Sequence, residues 1–308
     1  MRDLIAPAIA RWSTLPLAIV LLGCATTAPS EDTATARDSL IAAERAFAAM
    51  SVADGVRAAF IANFADDGML FAPRPLIARQ HFASRPAPPD PRAIRLEWEP
   101  AIAAVAASAD VGFTTGPYRL TDTTGARPPQ HGVFFSIWRR DAAGRWEVAL
   151  DAGIETPAAV APADLAPAPV LAPLNSPLDD AQVQARGPET AGMAMPVGTA
   201  ESDDYAALFA VDGRLQRNGV APQIGRQRVT AYLRRPGTAP AHATFLPQGA
   251  GMASSGDLAW VYGALRTTGA TPGTSPLPNG WYVHLWARDA TGRWRIAVAV
   301  VLDAAEAS

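Results

Sequence analysis

The chain has 308 residues, 49% hydrophobic and 18% charged, with a formal net charge of -3, which is enough apolar material for two cores of ordinary size. All 26 basic residues are arginines, so a Schiff-base lysine, a P-loop lysine and a Ser-Lys dyad are excluded, and the negative balance speaks against a nucleic-acid partner. The four histidines (His81, His131, His242, His284) and the single cysteine stand at no metal-ligand spacing, so neither a zinc site nor any other metal or cofactor is expected.

Taken in chain order, Arg2 and Arg11 precede an apolar run, Leu15 to Leu22, that is too short to span a bilayer. The run ends in Leu21-Leu22-Gly23-Cys24, which resembles the bacterial lipobox, in which the cysteine is lipidated and becomes the new N-terminus. That resemblance implies a signal peptide over residues 1–23 and a lipid attachment at Cys24. Several acyl chains there would hold the protein firmly, where one chain binds membranes only marginally. Ala25, rather than Asp, after the cysteine resembles the outer-membrane sorting pattern, with the domains facing the periplasm. Residues 24–36 read as a small polar tether.

Leu40, Ala43, Phe47 and Met50 then recur at helical spacing within Asp38 to Met50, with Glu44 and Arg45 assigned to the opposite face. Asp54-Gly55 opens a second short helix carrying Val56, Phe60 and Phe64, and Asp66-Asp67-Gly68 reads as its left-handed end. Met69 begins a strand, and Ile77 to Ala83 predicts one short helical turn stopped by Arg85-Pro86. Ile94, Leu96 and Trp98 alternate with charged residues, as in a half-buried strand that leaves Glu97 and Glu99 in solvent. Val111 to Leu120 predicts another strand, and Val133–Trp138 with Trp146–Ala152 a hairpin across Asp141-Ala142-Ala143-Gly144.

Residues 157–200 are Pro- and Ala-rich, as expected of a linker, with Leu178 to Arg186 the candidate for a shortened helix. The chain then repeats itself. Asp212-Gly213 answers Asp67-Gly68, and Ile224-Gly225-Arg226-Gln227 answers Ile77-Ala78-Arg79-Gln80. Ser255-Gly256-Asp257 answers Ser108-Ala109-Asp110, and Trp286 to Trp294 answers Trp138 to Trp146. Offsets of 145 to 148 in one order mark a duplicated domain rather than a solenoid unit. Residues 37–156 and 201–305 are the expected copies, the second degenerate at its start. The hairpin strands are apolar on both faces and need cover on both. Helices supply one cover and the other copy's sheet the second, giving an expected intrachain pseudo-dimer in a monomeric protein. Phe134, Trp138, Tyr282 and Trp286 are placed at or beside that interface.

Two helices, a short third and a long antiparallel sheet ending in the Trp138-Arg139-Arg140 to Gly144-Arg145-Trp146 hairpin resemble the nuclear transport factor 2-like superfamily, with its SnoaL-like and ketosteroid isomerase-like members. Asp110 to Tyr118 and Gly144 to Asp151 are similar to a bacterial domain family of unknown function within it. The resemblance implies an α+β protein: two tandem cone-shaped domains, each a curved antiparallel sheet wrapped on N-terminal helices. It also implies a small apolar ligand in the mouth of the cone, and in the enzymes of the superfamily an Asp base beside a Tyr or acid donor. The first helix here holds no Tyr to serve as such a donor.

Tyr118, His131 and Asp151 are the candidate polar groups of a pocket in the first copy, with Trp98, Phe60 and Phe64, together with Phe47 and Phe71, as its apolar wall. The second copy has Leu265, Asn279 and Ala299 where the first has Tyr118, His131 and Asp151. His284, amid Tyr282 and Trp286, is expected to serve packing at the interface. Strand parity leaves open whether Asp151 faces the pocket or the other sheet. Three functions stay open: binding of a small apolar or amphipathic molecule without catalysis, an envelope interaction scaffold, and an isomerase-, dehydratase- or cyclase-like acid/base enzyme.

Overall fold

The computed structural model describes residues 32–72, 74–169, 202–235, 242–268 and 277–304. Cys24 and Leu178–Arg186 lie outside them. The first half runs α1 (Thr33–Asp54), α2 (Val56–Asn63), β1 (Phe64–Phe71), β2 (Pro75–Ile77), α3 (Ala78–Ala83), β3 (Ile94–Trp98), β4 (Ile102–Val105), β5 (Val111–Asp122), β6 (Gln130–Arg140) and β7 (Trp146–Glu155). A 3-10 turn at Pro162–Leu165 follows. The second half runs α4 (Ser202–Ala207), β8 (Phe209–Arg217), β9 (Gln223–Ile224), α5 (Arg226–Leu233), β10 (His242–Met252), β11 (Leu258–Thr268), β12 (Gly280–Arg288) and β13 (Trp294–Asp303).

The fold is α+β, two tandem sheets with helices packed on one face of each. The first sheet has the order β2-β1-β7-β6-β5-β3, with β4 also on β5, and the second repeats it as β9-β8-β13-β12-β11-β10. In each, the strand after the N-terminal helices pairs parallel with the last strand, and every other pair is antiparallel. Pro100 separates β3 from β4, whereas β10 runs on through Pro247 with a register shift before Gly249. Proline has no N–H for the ladder, so both copies break or bulge there. Gly116 and Gly263 recur for the same close crossing: a Cβ would stand 1.9 Å from the Glu99 carbonyl oxygen in one copy and 2.0 Å from that of Leu246 in the other.

Helix α1 buries Ala36, Leu40, Glu44, Phe47, Ala48 and Ser51, one stripe at spacings of three and four. It starts at Thr33, inside the expected tether, and Glu44 lies on its inner face beside Leu40 and Phe47, not on the outer one. The left-handed glycine between the helices is Gly55, with φ 88°, while Asp66-Asp67-Gly68 runs inside β1 and is not a helix cap. Asp66 and Asp67 pair with Arg79 and Arg139.

The convex faces of the two sheets share one buried apolar cluster. Phe113, Val133, Phe135, Ile137, Leu150, Ala152 and Ile154 contribute from the first, and Leu258, Val283, Leu285, Val298, Val300 and Leu302 from the second. At one end the contacts are reciprocal. The Ser108 and Ser255 hydroxyls lie 2.9 Å apart, and each accepts the other serine's backbone N–H at 3.2 Å. Asp257 accepts the Ala107 N–H at 3.0 Å, and Asp110 the Ser254 N–H at 3.0 Å. Residue i meeting j as j meets i is the signature of a two-fold relation, and it explains why Ser-x-Asp recurs in both copies.

Phe134, Trp138, Tyr282 and Trp286 are not at this seam. Phe134 and Trp138 turn toward the helices of the first half, and Tyr282 and Trp286 sit in the core of the second. The seam is mostly aliphatic, with Phe71, Phe113, Phe135 and Trp260 among its rings, while Phe47, Phe60, Phe64 and Trp138 gather beneath the helices of the first half. His284 is likewise in the second half's own core and not at the seam: its Nε2 is 2.8 Å from the Tyr205 hydroxyl.

A candidate ligand-binding cavity in the first half

A cavity of about 330 Å³ opens between the helices and the concave face of the first sheet. Phe47 of α1, Val56 and Phe60 of α2 and Phe82 of α3 wall it on the helical side. The sheet side is Leu70 and Phe71 of β1, Leu96 and Trp98 of β3, Tyr118 and Leu120 of β5, Gln130 and Phe134 of β6, and Asp151, Gly153 and Glu155 of β7. Two roomier clefts lack an aromatic wall: one, lined mostly by Ala and Pro, lies between residues 156–167 and 221–228, and the other, beside β8 and the β12–β13 turn, is lined by alanines together with Asp212, Arg226, Arg288, Asp289 and Arg295.

The aromatic wall is braced edge to face, the geometry ring quadrupoles favour. Phe47 meets Phe60 with centroids 5.0 Å apart and Trp98 at 4.8 Å, and Trp98 reaches Phe134 at 6.3 Å. Glu44 holds this wall from behind. The Trp98 indole N–H donates to its Oε1 at 2.5 Å, while the Thr114 hydroxyl at 2.5 Å and the Trp138 indole at 2.8 Å donate to its Oε2. Burial pushes the Glu44 carboxyl up from its ordinary range, and the three donors pull it back in part.

Asp151 reaches the cavity because β7 carries a bulge. Register shifts between Val148, opposite Trp138, and Leu150, opposite Ile137. The extra residue, Ala149, lets Val148 face the helices, Leu150 the other sheet and Asp151 the cavity again. Its neighbour across the ladder, Ser136, donates to Asp151 Oδ2 at 2.6 Å. The Asp151 side chain is half-buried, open to the cavity yet enclosed by protein. Desolvation lifts its carboxyl to about 7, with the Ser136 bond opposing and the Glu44 charge adding. Tyr118 is pushed up to about 12 by desolvation, with Glu155 and Asp151 adding, so its phenol remains a donor at neutral pH. Its ring lies over Gly132, where a Cβ would come within 2.3 Å of Tyr118 Cε1. Gly132 therefore makes the room that Tyr118 occupies.

Of the residues singled out in the sequence, Tyr118, Asp151, Trp98 and Phe60 come together around the cavity. Phe64 does not line it; it stacks behind Phe60, centroids 5.3 Å apart. His131 alternates with Gln130 and Gly132 onto the other face of β6 and stays outside. Glu44 and Ser136 were missed. Glu44 was legible in principle, since it falls four residues after Leu40 and three before Phe47.

The second half has filled the corresponding space. His284 faces Ala299 across the ladder where Ser136 faces Asp151. Tyr205, Phe245, Tyr282 and His284 close on one another with centroids 4.6 to 5.6 Å apart. Desolvation drives His284 down to about 3, so it is neutral. Among the described residues no group of His, Cys, Asp and Glu could hold a metal ion, and no helix is long and apolar enough to cross a membrane.

No protein-family profile and no curated protein matches the chain. Solved structures do. The chain is similar to a protein of unknown function with a cystatin-like fold from Nostoc punctiforme, at 19% identity over 42% of this chain and 97% of that one, with a TM-score of 0.33. It is similar to a ketosteroid isomerase-like protein from Erwinia carotovora atroseptica, at 20% identity over 41% and 96%, TM-score 0.30. A nuclear transport factor 2-like superfamily protein from Salmonella enterica serovar Typhimurium matches at 9% identity over 40% and 93%, TM-score 0.34.

Proposed function

We propose that this protein binds a small, largely apolar molecule in the cavity of its first half, and that it does so facing the periplasm from a lipid anchor at Cys24. The observation that carries the binding reading is the cavity itself. Aromatic rings wall it, a phenol and two carboxylates line it, and the equivalent space in the second half is filled by Tyr205, Phe245 and His284. A cleft that is mostly apolar with a few convergent polar groups is what small-ligand sites look like. The second half then contributes the partner sheet over the convex face. An interaction scaffold has less support: among the described residues the exposed large apolar side chains are Ile94, Val211 and Leu246, and none is aromatic.

Mass spectrometry of the purified chain under native conditions should find a small molecule bound, and Tyr118→Phe with Asp151→Asn should lose it. A chain that carries no ligand and takes none from a library of hydrophobic molecules would sink the binding reading. For the anchor, palmitate should label the native protein, and Cys24→Ser should leave the membrane fraction. Unchanged fractionation without labelling would overturn it.

An acid/base enzyme is the second reading, and it is favoured by one observation: Asp151 stands near 7 in a largely apolar site with the Tyr118 phenol as a neighbouring donor. A base titrating near the working pH exchanges protons most effectively. Turnover of a bound carbon acid, read as solvent deuterium uptake and lost in Asp151→Asn, would establish it over simple binding.

A further inference from the structure

The ionisable carboxylates of the cavity bring charge of one sign only. Among the described residues its lining has two carboxylates, Asp151 and Glu155, a phenol and the Gln130 amide, and no Arg or His. Three other first-half carboxylates have arginine partners: Arg45 with Glu99 at 2.7 Å, Arg95 with Glu97 at 2.8 Å and Arg145 with Asp141 at 2.7 Å. Asp151 has only the Ser136 hydroxyl, on Oδ2, and its Oδ1 accepts nothing among the described residues. Glu155 makes no side-chain hydrogen bond or ion pair there either. The same cavity is lined by the aromatic residues Phe60, Phe82, Trp98 and Phe134.

Resting on the binding reading above, we propose that the ligand is an organic cation, an amine whose ammonium group sits at Asp151 with Tyr118 and Glu155 beside it, and whose apolar body lies against Phe60, Trp98 and Phe134. A half-buried carboxylate without a cation is costly to leave unpaired, and an incoming ammonium supplies the missing partner. Aromatic faces attract the same charge through their quadrupoles, most strongly when water is excluded. An anionic ligand meets the opposite: two carboxylates and no donor beyond the phenol and the amide. At interior packing density the cavity holds a body of roughly a dozen non-hydrogen atoms, one ring with a short chain.

The test is calorimetric titration of the purified full chain at pH 8 with three near-isosteres, phenylbutylamine, phenylbutanol and phenylbutyrate. The amine should bind at least tenfold more tightly than the alcohol, and the carboxylate more weakly than either. Asp151→Asn should bring the amine to the level at which the parent binds the alcohol, and a cooperative thermal unfolding transition shows that the variant is folded. If the alcohol or the carboxylate binds as tightly as the amine, the assignment of a cation is wrong while the binding reading stands. If none of the three binds, both fall.

Discussion

Replacing Asp151 by Asn should stabilise the protein, and by more as the pH rises. The carboxyl moves from 3.8 to about 7 on folding because burial disfavours its charge. A folded-state value raised above the unfolded one means stability that is complete below 3.8 and is lost as the pH climbs through 7. At about 1.4 kcal/mol per unit, the full penalty above pH 7 is about 4 kcal/mol, and the part that appears between pH 5 and pH 8 is about 3 kcal/mol. Asparagine does not titrate, and its amide still meets the Ser136 hydroxyl. Urea unfolding of parent and Asp151→Asn at pH 5 and pH 8 gives a difference of differences in which the other titrating groups largely cancel. The variant's advantage should grow by about 3 kcal/mol across that window. An advantage that stays constant to within about 0.5 kcal/mol, or shrinks, refutes the claim that desolvation at the cavity wall controls Asp151.

Glu44→Ala should destabilise by about 2–4 kcal/mol, because it strips the acceptor from two buried indole N–H groups and a threonine hydroxyl. Urea unfolding checks it, and a loss below about 0.5 kcal/mol would show that Glu44 does not brace the wall. Phe135→Ala, at the seam between sheets, should cost about 3–5 kcal/mol, whereas Phe134→Ala, which only enlarges an existing cavity, should cost visibly less. Equal losses by calorimetry would mean that the two faces of β6 are not distinguished as described. Ser108→Ala and Ser255→Ala should couple by about 0.5–1.5 kcal/mol in a double-mutant cycle, as residues sharing one hydrogen bond do. Strict additivity would contradict the reciprocal contact.

Much of this fold is written in local chemistry, and that part was legible. The helix at Asp54-Gly55, the hairpin turns at Asp141–Gly144 and Asp289–Gly292 and the alternation from Ile94 to Trp98 depend on residues a few positions apart. The duplication was legible too, because the turns, the Ser-x-Asp contacts and Gly116 with Gly263 keep the same side chains for the same geometric reasons.

What depended on distant neighbours was not legible. Both faces of β6 are apolar, so no pattern along the strand tells which aromatics meet helices and which meet the other sheet; the packing of the distant elements decides it. Glu44 passed for a solvated residue because its three donors, Trp98, Thr114 and Trp138, come from strands 54 to 94 residues away. Period two predicts alternate faces for Leu150 and Asp151, but not which face is which, since one bulge at Ala149 inverts the answer. The chain by itself therefore determined two α+β copies and their strand plan, through interactions that act over a few residues. Only the tertiary structure decided that Asp151 lines a cavity in one copy while Tyr205 and His284 fill it in the other, because burial and pairing belong to the packed whole.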